Sequence, residues 1–300
     1  MKRDWYGRDR QLTFRMFLVM FLLAALYLLF IAFLWRTGID FLGVALIAGS
    51  MLAAQYFFSD KVVLWSVGAR EVGPEQAPEL HAMIERLSAM ADLPKPKVAV
   101  TSSEVPNAFA TGRSPKSSVV VVTTSLMDRL DTPELEAVLA HELTHVHNRD
   151  VMVITIASFF AAVSSLLMRL FMFGGMRGGY GRRRDQSGGG IILVWLVSLL
   201  VWVLSFFLIR ALSRYREYAA DRGSAILTGT PSVLASALVK ISGAMERIPD
   251  RDLREVEGAN AFFVVPALRR SSLVELLSTH PSLEKRLERL KKMEQDMERV

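Results

Sequence analysis

The sequence predicts an integral membrane protein of the α+β class, mostly helical, with two hydrophobic helical hairpins and a small β-sheet. Four uncharged apolar runs support the membrane part of this prediction: residues 16–35, 41–58, 151–168 and 191–209. About 20 helical residues, at a rise of about 1.5 Å each, cross a hydrocarbon core of about 30 Å. Runs of this length are therefore typical of membrane-spanning helices.

The net charge of +6 is unevenly distributed and indicates membrane contact rather than nucleic-acid binding. Residues 1–15 carry five basic and two acidic side chains, and residues 174–190 carry four and one. The polar stretch at 59–150 has nine basic against thirteen acidic side chains. Positive charge thus lies beside the hydrophobic runs, where it sets topology or meets anionic lipid. No nucleic-acid surface is expected.

The first two apolar runs predict an uncleaved membrane hairpin. The basic start at 1–14 resembles the front of a signal peptide, but the run after it exceeds the usual 7–15 residues and lacks an A-x-A-like cleavage site. Only residues 36–40, with Gly38, separate the two runs, so both ends of the hairpin lie on one side. The Lys and Arg residues of the N-terminal arm place that side in the cytoplasm.

The polar stretch after the hairpin predicts the first half of a catalytic domain. Residues 80–91 have the apolar spacing of an amphipathic helix, and residues 97–101 and 117–124 are β-rich. Thr132, followed by Pro133, predicts the N-cap of a helix that runs to Asn148.

The second half of the chain predicts a further hairpin followed by more helices. A Gly- and Arg-rich loop divides the apolar runs of 151–209, Thr230-Pro231 begins another helix, and residues 283–297 form a solvated packing helix. We expect four parts: an arm and hairpin at 1–58, catalytic segments at 59–150 and 213–300, and a second hairpin at 151–212.

The sharpest chemical signal is an H-E-x-x-H motif at 141–145. Spacing i, i+4 places the imidazoles of His141 and His145 on one face of a helix, where they can bind one metal ion. Glu142 lies beside that pair and can act as a base. The chain has no cysteine, so disulfides, thiol nucleophiles and thiolate ligands are excluded, and a metal must be held by histidine and carboxylate.

A hydrolytic zinc site needs three protein ligands and an open position. His147 faces away from the pair, which leaves Glu217 and His280 as candidates for the third ligand. Asp221 lies one helical turn after Glu217 and could accept a hydrogen bond from a ligating imidazole. From spacing alone, a solvated acidic pair on a helix face is the favoured explanation of Glu217 and Asp221.

The H-E-x-x-H motif followed by VHNRD at 146–150, together with RYREYAAD at 214–221, resembles the HtpX family of membrane-bound zinc metalloproteases. That family is related to the CAAX-prenyl protease type of endopeptidase. The resemblance extends over nearly the whole chain, including PNAFATG at 106–112 and the late His-Pro at 280–281.

The resemblance implies a zincin-like cytoplasmic catalytic domain that binds one Zn²⁺. It implies His141, His145 and Glu217 as zinc ligands, Glu142 as the catalytic base and Asp221 as support for a ligand. It also implies three substrate or oxyanion contacts: backbone groups of Asn107 and Ala108 on an edge strand, and the side chain of His280. Its substrates would be misfolded or damaged membrane proteins, cleaved at the inner membrane of a bacterium as part of quality control.

Two alternative functions and one conflict over topology remain. The chain could be a catalytically silent scaffold for unfolded segments, which the intact Glu142 disfavours, or a processing protease with one dedicated substrate. Arg177 and residues 182–184 make the loop of the second hairpin basic, and the positive-inside rule disfavours such a loop outside the cell. His141 and Glu217 must share a side, so residues 151–212 cross the membrane twice or not at all.

Overall fold

The computed structural model describes residues 9–37, 41–175, 188–245, 247 and 280–299. Helices dominate these residues, and they surround one four-stranded sheet, so the predicted class is confirmed. The basic segments at 1–8 and 176–187, including Arg177 and residues 182–184, lie outside the described residues.

In chain order, the helices are α1 (Arg10–Thr37), α2 (Phe41–Ser66), α3 (Pro78–Met90), α4 (Thr124–Arg129), α5 (Thr132–Asn148), α6 (Asp150–Gly175), α7 (Gly188–Thr228), α8 (Pro231–Met245) and α9 (Leu283–Met297). The strands are β1 (Arg70–Glu71), β2 (Lys97–Thr101), β3 (Ala108–Thr111) and β4 (Val119–Thr123). The strand β1 and the helix α4 are too short for their sequence patterns to predict.

Three of the long helices are long and apolar enough to cross a membrane. Within the described residues they are Arg10–Thr37, Asp150–Leu170 and Ile192–Thr228. The fourth apolar run forms part of α2, where the apolar stretch Ala45–Phe58 is shorter. Buried apolar residues of α1, α6 and α7, among them Phe30, pack together as a separate core.

The membrane helices continue into the polar part of the chain without a linker. Helix α2 runs past the expected boundary at residue 58 to Ser66, and α7 runs past the expected boundary at 212 to Thr228. Residues from the end of α2 and the turn after it, including Val63 and Val67, cover one face of the sheet. The membrane helices therefore fix the position of the catalytic elements directly.

The sheet has the strand order β1-β2-β4-β3, with β2 and β4 parallel and the other two pairs antiparallel. Strand β4 is buried at every residue because α3 and α5 pack on one face and the α2 end on the other. Strand β3, formed by the PNAFATG segment, is at an edge of the sheet and lies against α5.

Helix α5 begins with a capping box, but its N-cap is Asp131 and not the predicted Thr132. The Asp131 side chain accepts a hydrogen bond from the backbone N–H of Glu134, and the Glu134 side chain accepts one from the backbone N–H of Asp131. Aspartate can cap from its own position, which moves Thr132 and Pro133 into the first turn. Lys240 and Ser236 of α8 also donate to Glu134, so the same carboxylate joins α5 to α8.

Helices α5 and α7 pack in close contact at one glycine. A Cβ atom on Gly223 would overlap the side chain of Thr144, which is fully buried on α5. One residue further, the Ser224 hydroxyl donates to the Ala137 carbonyl over 2.6 Å. This contact fixes the distance between the H-E-x-x-H motif and the part of α7 that carries Glu217.

We expect Gly223→Ala to lower the free energy of unfolding by about 1–3 kcal/mol, because its methyl group overpacks the α5–α7 interface. Gly243→Ala is the matched control, since Gly243 lies in α8 with open space around its Cα. The control should raise stability by about 0.5–1 kcal/mol through helix propensity alone. Denaturant unfolding of both variants in detergent micelles measures the difference, and equal stabilities would contradict the close contact.

Candidate metal centre

The two histidines of the H-E-x-x-H motif face one another on consecutive turns of α5. Their ring centroids are 4.8 Å apart, and the Nε2 atom of His141 lies 3.2 Å from the Nε2 atom of His145. Two imidazole nitrogens at this separation converge on a common point beside the helix.

Glu217, in the C-terminal part of α7, is the third possible metal ligand. Its Oε2 atom lies 3.6 Å from Nε2 of His141, and its Oε1 atom lies 3.5 Å from Nε2 of His145. Tetrahedral zinc with bonds of about 2.0–2.1 Å separates neighbouring ligand atoms by about 3.3 Å. The observed separations therefore fit one Zn²⁺ ion, and these three residues could hold it.

His141 is supported on its other side by an acid and an arginine. Asp221 Oδ1 lies 3.1 Å from Nδ1 of His141, and Arg286 of α9 binds both oxygens of Asp221 at 2.6 and 3.0 Å. Burial alone would lower the pKa of His141, but the hydrogen bonds to Asp221 and Glu217 raise it to about 9. The carboxylates thus favour a cation at this position.

Arg286 is a residue that sequence reasoning missed. It is 1% exposed, although α9 was expected to be solvated and packs with Arg286 and Leu290 inward. A buried arginine in a helix of many charges has the same local pattern as an exposed one. The available signal was its position on the apolar stripe of α9, four residues before Leu290.

His145 has a similar support that the sequence analysis did not assign. Its Nδ1 atom lies 2.6 Å from Oδ2 of Asp150, the first residue of α6. Asp150 in turn forms an ion pair with Arg216, the neighbour of Glu217 on α7. Burial lowers the pKa of His145, which favours the neutral imidazole that a metal needs.

Glu142 lies at the bottom of the cleft, against the edge strand β3. Its Oε2 atom accepts a hydrogen bond of 3.0 Å from the backbone N–H of Ala110. Burial raises the pKa of the Glu142 carboxyl, and the two nearby imidazoles counteract this. A carboxylate with a raised pKa beside a metal position is suited to accept and return a proton.

Asn107 was expected to present its backbone groups to a substrate, and this expectation is wrong. Its N–H donates to the Thr123 hydroxyl, and its carbonyl accepts from the Thr123 N–H, so both groups belong to the sheet. Backbone groups along an antiparallel edge strand alternate between the neighbour and the open side. The hydrogen bond from the Ala110 N–H to Glu142 shows that the backbone groups of Ala110 are directed to the open side of β3, away from β4. The backbone groups of Ala108, two residues away, have the same direction.

His280 also borders the centre. Its Nδ1 atom lies 3.1 Å from Oε2 of Glu217, and its side chain is 6% exposed. His280 was expected near the cleft, and the structure brings it into contact with Glu217 itself. It lies behind the carboxylate of Glu217 rather than among the three converging ligand atoms.

The buried charges around the two histidines do not balance. Four carboxylates meet two guanidinium groups within these contacts, which leaves two negative charges when all are ionised. The six groups are Glu142, Asp150, Glu217, Asp221, Arg216 and Arg286. Uncompensated buried charge is costly, so among the described residues this centre would stabilise a divalent cation, and in its absence an imidazolium at His141 supplies part of the missing charge.

A cleft of about 400 Å³ opens from this centre and shares part of its wall with a second cavity. The second cavity has a volume of about 740 Å³, is almost entirely apolar, and lies between α1, α2 and α6. Both cavities are lined by Tyr56, Met152 and Thr155. The cleft of the centre is thus adjacent to a space among helices that include two candidate membrane spans.

An H-E-x-x-H helix, a carboxylate that could be the third metal ligand, and helices long enough to span a membrane are typical of a membrane-bound zinc metalloendopeptidase. Comparison with known families agrees with this class. The chain belongs to peptidase family M48, whose model matches residues 74–294.

Relatives extend the match over the whole chain and confirm the resemblance to the HtpX family. The chain is 62% identical over 296 residues to "Protease HtpX homolog" of Moorella thermoacetica, covering 99% of both chains. It is 58% identical to "Protease HtpX homolog 2" of Methanosarcina mazei, covering 99% of this chain and 100% of the relative.

A solved structure shares the fold. The crystal structure of S. mikatae Ste24p superposes with a TM-score of 0.56 at 20% identity. The match covers 89% of this chain and 62% of the length of that chain.

We expect Glu217→Ala to lose most bound zinc, because it removes one of the three converging ligand atoms. His280→Ala should keep zinc and lose mainly turnover, since His280 lies behind Glu217. Metal content of the two purified variants, compared with the wild type, measures this difference. Zinc retained in the first variant and lost in the second would reverse the assignment.

Proposed function

We propose that this enzyme cleaves misfolded or damaged membrane proteins at the cytoplasmic face of the cell membrane, as part of protein quality control. In this proposal His141, His145 and Glu217 hold one zinc ion, Glu142 is the catalytic base and Asp221 orients His141. The convergence of three ligand atoms around one point, with Glu142 beside it, is the observation that carries the proposal.

Zinc, Glu142 and His280 have separate roles in the proposed reaction. Zinc, when bound, polarises the scissile carbonyl and acidifies water. Glu142 accepts the proton of the attacking water and returns it to the departing amine. His280 donates a hydrogen bond to the oxygen that becomes negative, as an oxyanion contact.

The substrate lies extended along the open side of β3. The carbonyl of Ala110, which lines the cleft, can pair with it as part of an added strand, a mode that reads main chain rather than a fixed sequence. Ala108, which was also expected to contact substrate, is fully buried and does not line the cleft. Unfolded segments have free backbone groups and fit this mode. The hydrogen bond between the Ala110 N–H and Glu142 supports a reacting bond next to that strand.

The apolar cavity supports membrane proteins as the substrate class. An apolar segment that occupies the space between α1, α2 and α6 would leave it past Tyr56 and Thr155, directly into the cleft. A soluble unfolded substrate needs only the cleft.

We keep the four-part organisation, with boundaries near 58, 150 and 212, as part of this proposal. The positive arm of residues 1–15 supports a cytoplasmic start, and if the shorter apolar stretch of α2 crosses together with the three candidate spans, four crossings return the catalytic segments to that side. The same reasoning supports a multi-pass protein of the bacterial inner membrane.

Glu142→Gln should retain zinc, because Glu142 is not a ligand, and should lose proteolysis by several orders of magnitude. Glutamine keeps the size of the side chain but cannot accept the proton of water. Metal content and cleavage of an unfolded membrane substrate measure the two effects separately. Cleavage near the wild-type rate would contradict the mechanism and support a function as a silent scaffold.

Filling the apolar cavity should slow cleavage of membrane-anchored substrates only. Ala53→Trp occupies the cavity from α2, whereas Ala54→Trp, at the next residue, is a control outside its lining. We expect a roughly tenfold lower rate on an anchored substrate for the first variant, and unchanged rates on a soluble unfolded protein for both. Equal rates of the two variants on the anchored substrate would refute a role of the cavity.

A reporter fused after Val300 should behave as cytoplasmic, because two hairpins return the chain to its starting side. Helix α9 packs on α7 and α8, so its location also reports the side of the metal centre. Paired phosphatase and fluorescent reporters give opposite signals on the two sides. A signal from outside the cell would overturn the compartment assigned to the active site.

A further inference from the structure

His145 contacts an acid that an uninterrupted helix could not bring to it. Asp150 follows His145 by five residues, which corresponds to about 500° of helical rotation at 3.6 residues per turn. The two side chains would therefore point about 140° apart on one helix. In the structure their Nδ1 and Oδ2 atoms are 2.6 Å apart.

The break that allows this contact is a single residue in a left-handed conformation. Arg149, between α5 and α6, has φ 55° and ψ 45°, and its backbone N–H bonds back to the Val146 carbonyl. Residues other than glycine adopt this conformation at a free-energy cost. The turn redirects the chain so that the first residue of α6 faces back toward His145.

Arg216, on α7, also holds the carboxylate of Asp150. It forms an ion pair with the other oxygen of Asp150 and approaches the Asn148 carbonyl, at 3.5 Å. Its side chain is 5% exposed, and it is adjacent to Glu217 on α7. One turn of α7 thus contributes both a candidate ligand and the group that holds Asp150.

We propose that Asp150 is a positioning residue for His145, placed by the turn at Arg149 and held by Arg216. The arrangement repeats, on the second histidine, the contacts of His141 with Asp221 and Arg286. An acid on the far nitrogen of a ligating imidazole fixes its tautomer and ring orientation. This proposal rests on the proposed function in that His145 is a zinc ligand.

A purely structural ion pair between α6 and α7 is the competing explanation, and zinc affinity separates the two. Asp150→Asn keeps the size of the side chain and removes its charge. If Asp150 positions His145, Asp150→Asn should bind zinc about 10–100-fold more weakly than the wild type. Competition with a chelator on folded protein measures this affinity. Asp128→Asn, an exposed acid of α4, is the control and should bind zinc as the wild type does.

Spectra of the Co²⁺-substituted protein give a second readout that does not depend on activity. Asp150→Asn should shift the visible bands of bound Co²⁺, because His145 changes orientation, whereas a structural ion pair would leave them unchanged. Normal zinc affinity and an unchanged spectrum in folded Asp150→Asn would overturn the proposal.

Substitutions of Arg149 test the turn without touching the acid. Arg149→Gly, which adopts the left-handed conformation freely, should bind zinc within about twofold of the wild type. Arg149→Val, whose branched side chain resists it, should bind several-fold more weakly. Equal affinities of the two variants would overturn the role of the turn.

The same titration distinguishes failure of this inference from failure of the proposed ligands. Weak zinc binding by Glu217→Ala, with normal binding by Asp150→Asn, would overturn only the positioning role. Normal binding by Glu217→Ala would show that the zinc ligands themselves are wrong.

Discussion

The excess of buried negative charge around His141 and His145 is the constraint on which the rest of the structure depends. Carboxylates from α5, α6 and α7 converge there, and the two arginines within these contacts neutralise half of them. A positive charge, from a divalent cation or from the His141 imidazolium, offsets part of this excess, and well-directed hydrogen bonds stabilise the rest. A bound zinc ion would therefore stabilise this centre as well as supply its chemistry.

The helix α7 connects this centre to the membrane without a hinge. Its apolar part packs with α1 and α6, and its polar end carries Glu217 and Asp221 against α5. The close approach at Gly223 and Thr144 fixes the register between the two helices. Helix α7 therefore contributes to the membrane part of the fold and carries one of the three candidate ligands.

Local patterns predicted much of the secondary structure. The bounds of β2 and α9 agree with the predicted runs, and α5 differs only in its cap, because Asp131 and Thr132 are both chemically able to cap a helix. The alternation of β3 was not predictable, since the side of a strand that stays open depends on its partner. The backbone groups of Asn107 were misassigned for this reason.

The sequence by itself determined the membrane class, the motif at 141–145 and the candidates Glu217 and Asp221, because these follow from hydropathy, helical spacing and residue chemistry over short distances. Only the tertiary structure decided which groups surround them. Arg286 meets Asp221 across 65 residues, and Arg216 meets Asp150 across the second hairpin. Such contacts depend on how helices pack, and a charged residue has the same local sequence pattern whether it is buried in an ion pair or exposed to water.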